Sequence, residues 1–284
     1  MASLQISNIE TEIPSDILPT RVMQLYASIS KLESLQPTKQ VNTLFTQLVN
    51  LCILPCSIDV RDLPEELQVK RESLISLCGE AEGLLELEFS TFLAKTPKAV
   101  SNLNLFPYYN NYLKLAKLEH DILVQNGVLT PKKVAFVGSG PLPLTSLVFA
   151  MNHLKSTHFD NYDFDEKANT LARQIVASDV ELEKRMKFVT KDVMEVREKL
   201  GEYDFIILAA LVGMNKEEKV KVLGHVRKYM KEGGILLVRS VKGPRAFLYP
   251  VVEEHELVGF EILDIFHPTD EVVNSVILVR KPVF

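Results

Sequence analysis

KKVAFVGSGPLPLTS, residues 132–146, is the stretch from which the fold is read. Its first half is an apolar run rich in β-branched and aromatic residues, the composition of a strand buried on both faces. The run breaks at Gly138 and Gly140, which allow a tight turn and a close approach of backbone to a ligand. Pro143 stands where a dinucleotide fingerprint has its third glycine, and this disfavours a pyrophosphate cofactor. Pro141 and Pro143 also remove two backbone donors near the next helix start and stiffen the bend. Ser139 and Leu142 complete it, and Gly138, Ser139, Gly140, Pro141, Leu142 and Pro143 are together the expected cofactor segment.

Downstream, apolar runs alternate with helix-like segments. YDFIILAALVG (203–213) is a second buried strand, and FDNYDFD, MKFVTKD and ILLVRS are further candidates. EKANTLARQIVAS and KEEKVKVLGHVRKYMKEGG lie between and after them with helical spacing. Such alternation implies a parallel sheet with crossover helices. GFEILDIF and NSVILVRK near the end read as a closing antiparallel pair. Seven strands finished in this way make the expected fold class α/β, a class I methyltransferase-like Rossmann domain.

Ligands of such sheets sit at the carboxyl ends of the strands. Asp163 falls at the end of the second strand, about 20 residues past the glycines, where a carboxylate can take both ribose hydroxyls. Asp165 competes for that role, although it is also placed to cap the following helix. Asp192 follows the third strand and is a candidate for the adenine amino group or, again, a helix cap. Ala209 and Ala210 end the fourth strand with side chains small enough to let backbone meet an adenosine. A nucleoside without phosphate, S-adenosylmethionine, loses little from the missing donors of the bend and is the expected cofactor, used as substrate.

Upstream the rhythm differs. VMQLYASISKLESL (22–35), QVNTLFTQLVNLCI (40–53), VKRESLISLCGEAEGLLELEFSTFLA (69–94) and YYNNYLKLAKLEHDILVQNG (108–127) repeat apolar residues every three to four positions. Breaks fall at Pro37, Pro55, Pro64 and Pro97, and Gly127 closes the last segment as a C′ residue. A helical bundle or lid over residues 1–128 is therefore expected to precede a cofactor-binding domain over 129–284.

Composition narrows the function. The 284 residues carry a net charge of −5 and no basic stripe, which argues against a nucleic-acid partner. No stretch reaches the ~18 to 20 apolar residues of a membrane span, and the start lacks a basic flank before an apolar run, so a cytoplasmic protein is expected. Cys52, Cys56 and Cys78 are too few and odd in number for a disulfide framework, and no histidine lies near CILPC to complete a metal site. No Ser/His/Asp or Cys/His constellation stands out. The expected partner is a small-molecule substrate, with no metal required and a homo-oligomer possible.

The blocks VAFVGSGPLPLTS, FDNYDFDEKAN, YDFIILAALVGM, RAFLYPVV and HPTDEVVNSVI resemble those of plant nicotianamine synthases, as do LCGEAEGLLE and LFPYYNNYLKLAKLE in the helical half. The similarity runs from about Asn42 to Lys281. It departs after the fifth strand, where SVKGPRAFLYP stands in place of the His-Gly-Ala common before the arginine in plant members. The resemblance implies a helical domain over a methyltransferase-like one, and transfer of 3-amino-3-carboxypropyl groups to an α-amine between S-adenosylmethionine molecules with release of methylthioadenosine; the alternatives are a small-molecule S-adenosylmethionine-dependent methyltransferase and a non-catalytic cofactor-binding protein. Metal then enters as cargo of the product, in metal homeostasis.

The resemblance also implies Glu82 as the carboxylate that holds the incoming ammonium and accepts its proton, although Glu80, Glu86 and Glu88 form an acidic helix face of the kind usually left to solvent. It further implies Tyr112, rather than Tyr108 or Tyr109, as the tyrosine that orients the amine. Arg239, Arg245 and Tyr249 are candidates for the substrate's carboxylates, since a guanidinium suits a carboxylate bidentately and Arg245 and Tyr249, four apart, can share a helical face. His267 reads as structural.

Overall fold

The computed structural model describes residues 12–283, so most of the amino-terminal stretch on which the leader expectation rests lies outside the described residues. Four helices come first: α1 (Ile17–Ile29), α2 (Lys39–Cys52), α3 (Glu65–Leu93) and α4 (Tyr109–Gln125). Thr38 caps α2 by accepting from Val41 N, and Pro64 precedes α3. Helix α1 starts and stops earlier than its apolar spacing suggests. Leu32 and Leu35 reach the same apolar cluster from a turn, so the spacing persists after the helix has ended.

The second half alternates β1 (Lys133–Val137), α5 (Leu144–Val148), β2 (His158–Asp163), α6 (Glu166–Val176), α7 (Val180–Arg185), β3 (Met186–Thr190), β4 (Phe205–Leu208), α8 (Lys216–Tyr229) and β5 (Ile235–Ser240), then closes with β6 (Glu261–Phe266) and β7 (Ser275–Arg280). The sheet order is β3-β2-β1-β4-β5-β7-β6. The first five strands pair in parallel, while β7 inserts antiparallel between β5 and β6. This is the class I methyltransferase-like Rossmann arrangement. Every residue of β4 and β5 is buried, as strands covered on both faces require.

Register places the site. Val137 of β1 lies opposite Tyr162 of β2 and Leu208 of β4, and Leu208 lies opposite Val238 of β5. The carboxyl ends of these strands are therefore level, and the chain departs to opposite sides at β1, leaving a crevice there. One apolar cluster joins α3, α4 and α5 to a sheet face through Leu93, Leu115, Leu147, Phe149, Phe159 and Phe205. A second packs α8 on the other face, and a third joins α1 and α2 to Ala246, Phe247 and Leu248. Each fully buried Leu or Phe contributes about 1.5 to 3 kcal/mol, so α3 and α4 are pinned over the crevice. No helix among the described residues is long and apolar enough to cross a membrane.

Candidate active site

A cavity of about 850 Å³ opens where the crevice meets α3 and α4. Its floor is the Gly138–Leu142 bend. Gly138 and Gly140 have φ of +78° and +64°, a region that L side chains seldom adopt. A Cβ on Gly138 would fall 2.3 Å from Val212 Cγ2, so the loop after β4 packs directly on the bend. The amides of Gly138 and Ser139 both donate to Tyr162 O at the end of β2. Pro143 departs from expectation: it is buried behind the lining, where its carbonyl accepts from Ser146 Oγ and Leu147 N.

Asp163 accepts from Gly140 N at 2.8 Å and from Asp165 N at 3.0 Å, which fixes its carboxylate beside the bend. Asp165 caps α6 through Lys167 N, the lesser role foreseen for it. Asp192 lines the cavity with an exposed carboxylate while one oxygen accepts from Met194 N. Ala209 and Ala210 form the wall beyond β4, followed by Leu211–Met214. Phe164 and Met194, which composition alone did not single out, stand at the rim, and Phe164 is 82% exposed.

The helical half supplies the charge. Glu82 and Glu86 are one turn apart on α3 and both face the cavity. Tyr249 Oη donates to Glu82 Oε2 at 2.8 Å, and Tyr112 Oη donates to Glu86 Oε1 at 3.2 Å. Glu86 Oε2 lies 3.0 Å from where a Cβ on Gly140 would be, so this carboxylate overhangs the bend itself. Burial raises the pKa of both carboxyls. Tyr249 and Arg239 oppose the rise at Glu82, whereas at Glu86 the charges of Glu82 and Asp163 add to it. Burial and these carboxylates also push the hydroxyls of Tyr112 and Tyr249 well above the ordinary phenol range, so both stay protonated donors.

Arg239 lines the cavity, but its fork is already engaged. Nε and Nη2 donate to Glu119 at 2.7 and 3.0 Å, and Nη2 also donates to Thr145 Oγ1 at 2.8 Å. A bidentate clamp on a substrate carboxylate is therefore not available; Nη1 alone has no protein acceptor among the described residues. Arg245 lies elsewhere. Gly243–Phe247 is a short 3-10 helix, so Arg245 turns away from Tyr249 and lines a separate cleft, where it donates to the Asp270 carbonyl. His267 pairs with Ser275 Oγ at 2.8 Å, a structural contact. Tyr108 and Tyr109 do not line the cavity, whereas Tyr112 does.

Glu86 and Glu119 are what sequence reasoning missed. The i,i+4 spacing from Glu82 was a usable signal for Glu86, because residues so spaced share a helix face. Nothing in the sequence pairs Glu119 with a residue on β5.

The family described as "Nicotianamine synthase protein" matches residues 10–284. The nicotianamine synthase of Solanum lycopersicum is 54% identical over 261 residues, covering 92% of this chain and 82% of that protein. Nicotianamine synthase 3 of Arabidopsis thaliana is 55% identical over 263 residues, covering 92% and 82%. Among solved structures, a glutamate-to-glutamine variant of MtNAS in complex with S-adenosylmethionine superposes with a TM-score of 0.78 at 19% identity, covering 94% of this chain and 99% of that one. MtNAS in complex with MTA and tNA superposes at 0.77. The second pair shows the shared fold.

Proposed function

The chain belongs to the nicotianamine synthase family, and from that premise we propose that Glu82 and Glu86 act as a coupled pair at its reaction centre. The enzyme is a transferase that condenses S-adenosylmethionine molecules, moving a 3-amino-3-carboxypropyl group to an α-amine and releasing methylthioadenosine. The observation that carries the assignment is the pair of tyrosine-bound carboxylates, Glu82–Tyr249 and Glu86–Tyr112, facing the Gly138–Gly140 bend across one cavity.

The sulfonium of S-adenosylmethionine has three electrophilic carbons, and the one that reacts is the one presented in line with a nucleophile. Here adenosine lies toward Asp163, Asp192, Ala209 and Ala210, with Phe164 at its rim. The amino-acid arm passes the glycine bend toward α3. The attacking amine must be neutral and about 3 to 3.5 Å from Cγ, yet an α-amine near pKa ~8 is mostly protonated in neutral water. Glu82, oriented by the Tyr249 hydroxyl, holds the incoming ammonium. Glu86, whose carboxylate overhangs the Gly138–Gly140 bend, takes the proton that the amine must lose. The nitrogen lone pair then forms the C–N bond, the C–S bond breaks with its electrons going to sulfur, and the pair accepts the second proton shed by the new ammonium.

Tyr112 and Tyr249 orient the carboxylates and give the amine its approach. Arg239 tunes them through space while Glu119 holds it in place. We assign residues 1–128 as the lid that delivers this chemistry and 129–284 as the cofactor-binding part, on the ground that α3 contributes Glu82 and Glu86, α4 contributes Tyr112 and the sheet contributes the bend.

Turnover of S-adenosylmethionine labelled separately in carboxyl and methyl groups tests the proposal with its variants. The wild type sends carboxyl label into an amino-acid oligomer and methyl label into methylthioadenosine. Glu82→Gln and Glu86→Gln each retain cofactor binding and lose condensation by about 100-fold or more. Full activity in either variant removes that residue from its role.

A further inference from the structure

Lys219 is a buried cation that the chemistry above does not use. It sits in the first turns of α8 and is 1% exposed, so its stem cannot carry the ammonium out to water. Nζ donates to Ala210 O at 2.8 Å, its one protein acceptor among the described residues. Ala210 begins the loop that walls the cavity through Met214. The same loop presses on Lys219 a second time: Gly213, at φ +74°, lies so close that a Cβ there would be 2.8 Å from Lys219 N and Cα. Met214 N is in turn fixed by the Glu218 carboxylate at 3.0 Å.

Charge does not explain the lysine. Glu256, from the short helix Glu254–Glu256, is the carboxylate that acts on it through space, and Glu256 is already engaged by Lys216 at 3.7 Å and by Glu253 N. His255 faces Lys216 rather than Lys219. An ammonium left with one carbonyl costs stability, and a residue of similar volume without charge would pack there more favourably. Retaining it at that carbonyl has a local effect: it locks the peptide from which the cavity wall begins.

We propose that Lys219 is a positioning residue for the adenosine half of S-adenosylmethionine, acting through the Ala210 carbonyl to hold the Leu211–Met214 loop in the shape that receives the nucleoside. This rests on the proposed placement of adenosine against that loop. Burial pushes the Lys219 pKa down to about 8, so the clamp weakens as pH rises through that value, when the ammonium becomes a neutral amine and a poorer donor.

The test uses the full-length enzyme and 5′-methylthioadenosine, which lacks the amino acid arm and its titrating amine. Hydrogen exchange on the wild type first locates the ligand. Slower exchange at Leu211–Met214 supports the adenosine placement, and no slowing there overturns that placement independently of Lys219. Calorimetry then compares Lys219→Met with wild type at pH 7 and pH 9.5. The expected result is about tenfold weaker binding in the variant at pH 7, the size of a lost charge-assisted hydrogen bond. Wild-type affinity falls toward the variant's value at pH 9.5, while the variant stays flat. For S-adenosylmethionine turnover, KM rises by a similar factor with kcat within about twofold. A purely structural lysine predicts changed thermal stability with unchanged affinity and KM, and equal affinity at both pH values in the two proteins would overturn the proposal.

Discussion

Removing the charge of Glu119 is the sharpest perturbation the structure offers. The Glu119 and Arg239 side chains are 0% and 6% exposed and joined by two hydrogen bonds, with Thr145 as a third contact. Glu119→Gln keeps the shape and one acceptor but leaves the guanidinium without its counter-ion in the interior. Breaking one partner of a buried pair costs about 3 to 5 kcal/mol. At about 2 to 4 °C per kcal/mol for a chain of this size, Tm should fall by about 6 to 20 °C.

The loss should be larger at acid pH than at pH 8. Glu82 and Glu86 feel Arg239 through space, and once ionised they replace part of the missing charge. For the same reason their raised pKa values fall toward the ordinary range, and the acid limb of the kcat/KM profile moves to lower pH. Urea denaturation at pH 5 and pH 8, together with that profile, measures both effects. Replacing both partners, Glu119→Leu with Arg239→Met, removes both charges and should recover most of the stability while abolishing the downward shift of the acid limb, because the cation that lowers the Glu82 and Glu86 pKa values is gone. A loss below about 1 kcal/mol in Glu119→Gln, the size of an exposed pair, would refute the reasoning, as would an unmoved acid limb.

Other outcomes follow from the same geometry. Because burial raises the folded-state pKa of Glu86, its contribution to stability is complete below the unfolded carboxylate range and is lost as pH rises through the raised value; Glu86→Gln should flatten urea midpoints between pH 5 and pH 8. Gly138→Ala places a Cβ against Val212 at a positive φ, so methylthioadenosine affinity should fall by more than about tenfold, and stability by about 1 to 3 kcal/mol, as calorimetry and thermal melts would show. Asp163→Ala removes the acceptor of Gly140 N and should raise KM for S-adenosylmethionine at least about tenfold, whereas Arg245→Met, remote from the cavity, should leave KM within about twofold in the same steady-state assay.

What the sequence determined by itself was everything that depends on local rhythm. Alternation of buried runs with 3.6-residue periodicity specifies strands, helices and a parallel sheet, and the Gly138–Gly140 bend specifies where that sheet opens. The positions of Asp163 and Ala210 were readable because they fall at the carboxyl ends of β2 and β4, the two strands that flank β1. The roles around the cavity were not local. Glu86 looked like one of four acids on a solvated face until α3 packed across the crevice and desolvated it. Arg239 looked like a substrate clamp until α4 brought Glu119, distant in sequence, onto its fork. Arg245 looked like its companion until a 3-10 turn swung it into another cleft. Lys219 carried no signal at all. Burial and partnership are properties of which elements meet, and a charged side chain acquires its proton affinity and its function only when that meeting decides how much water it keeps.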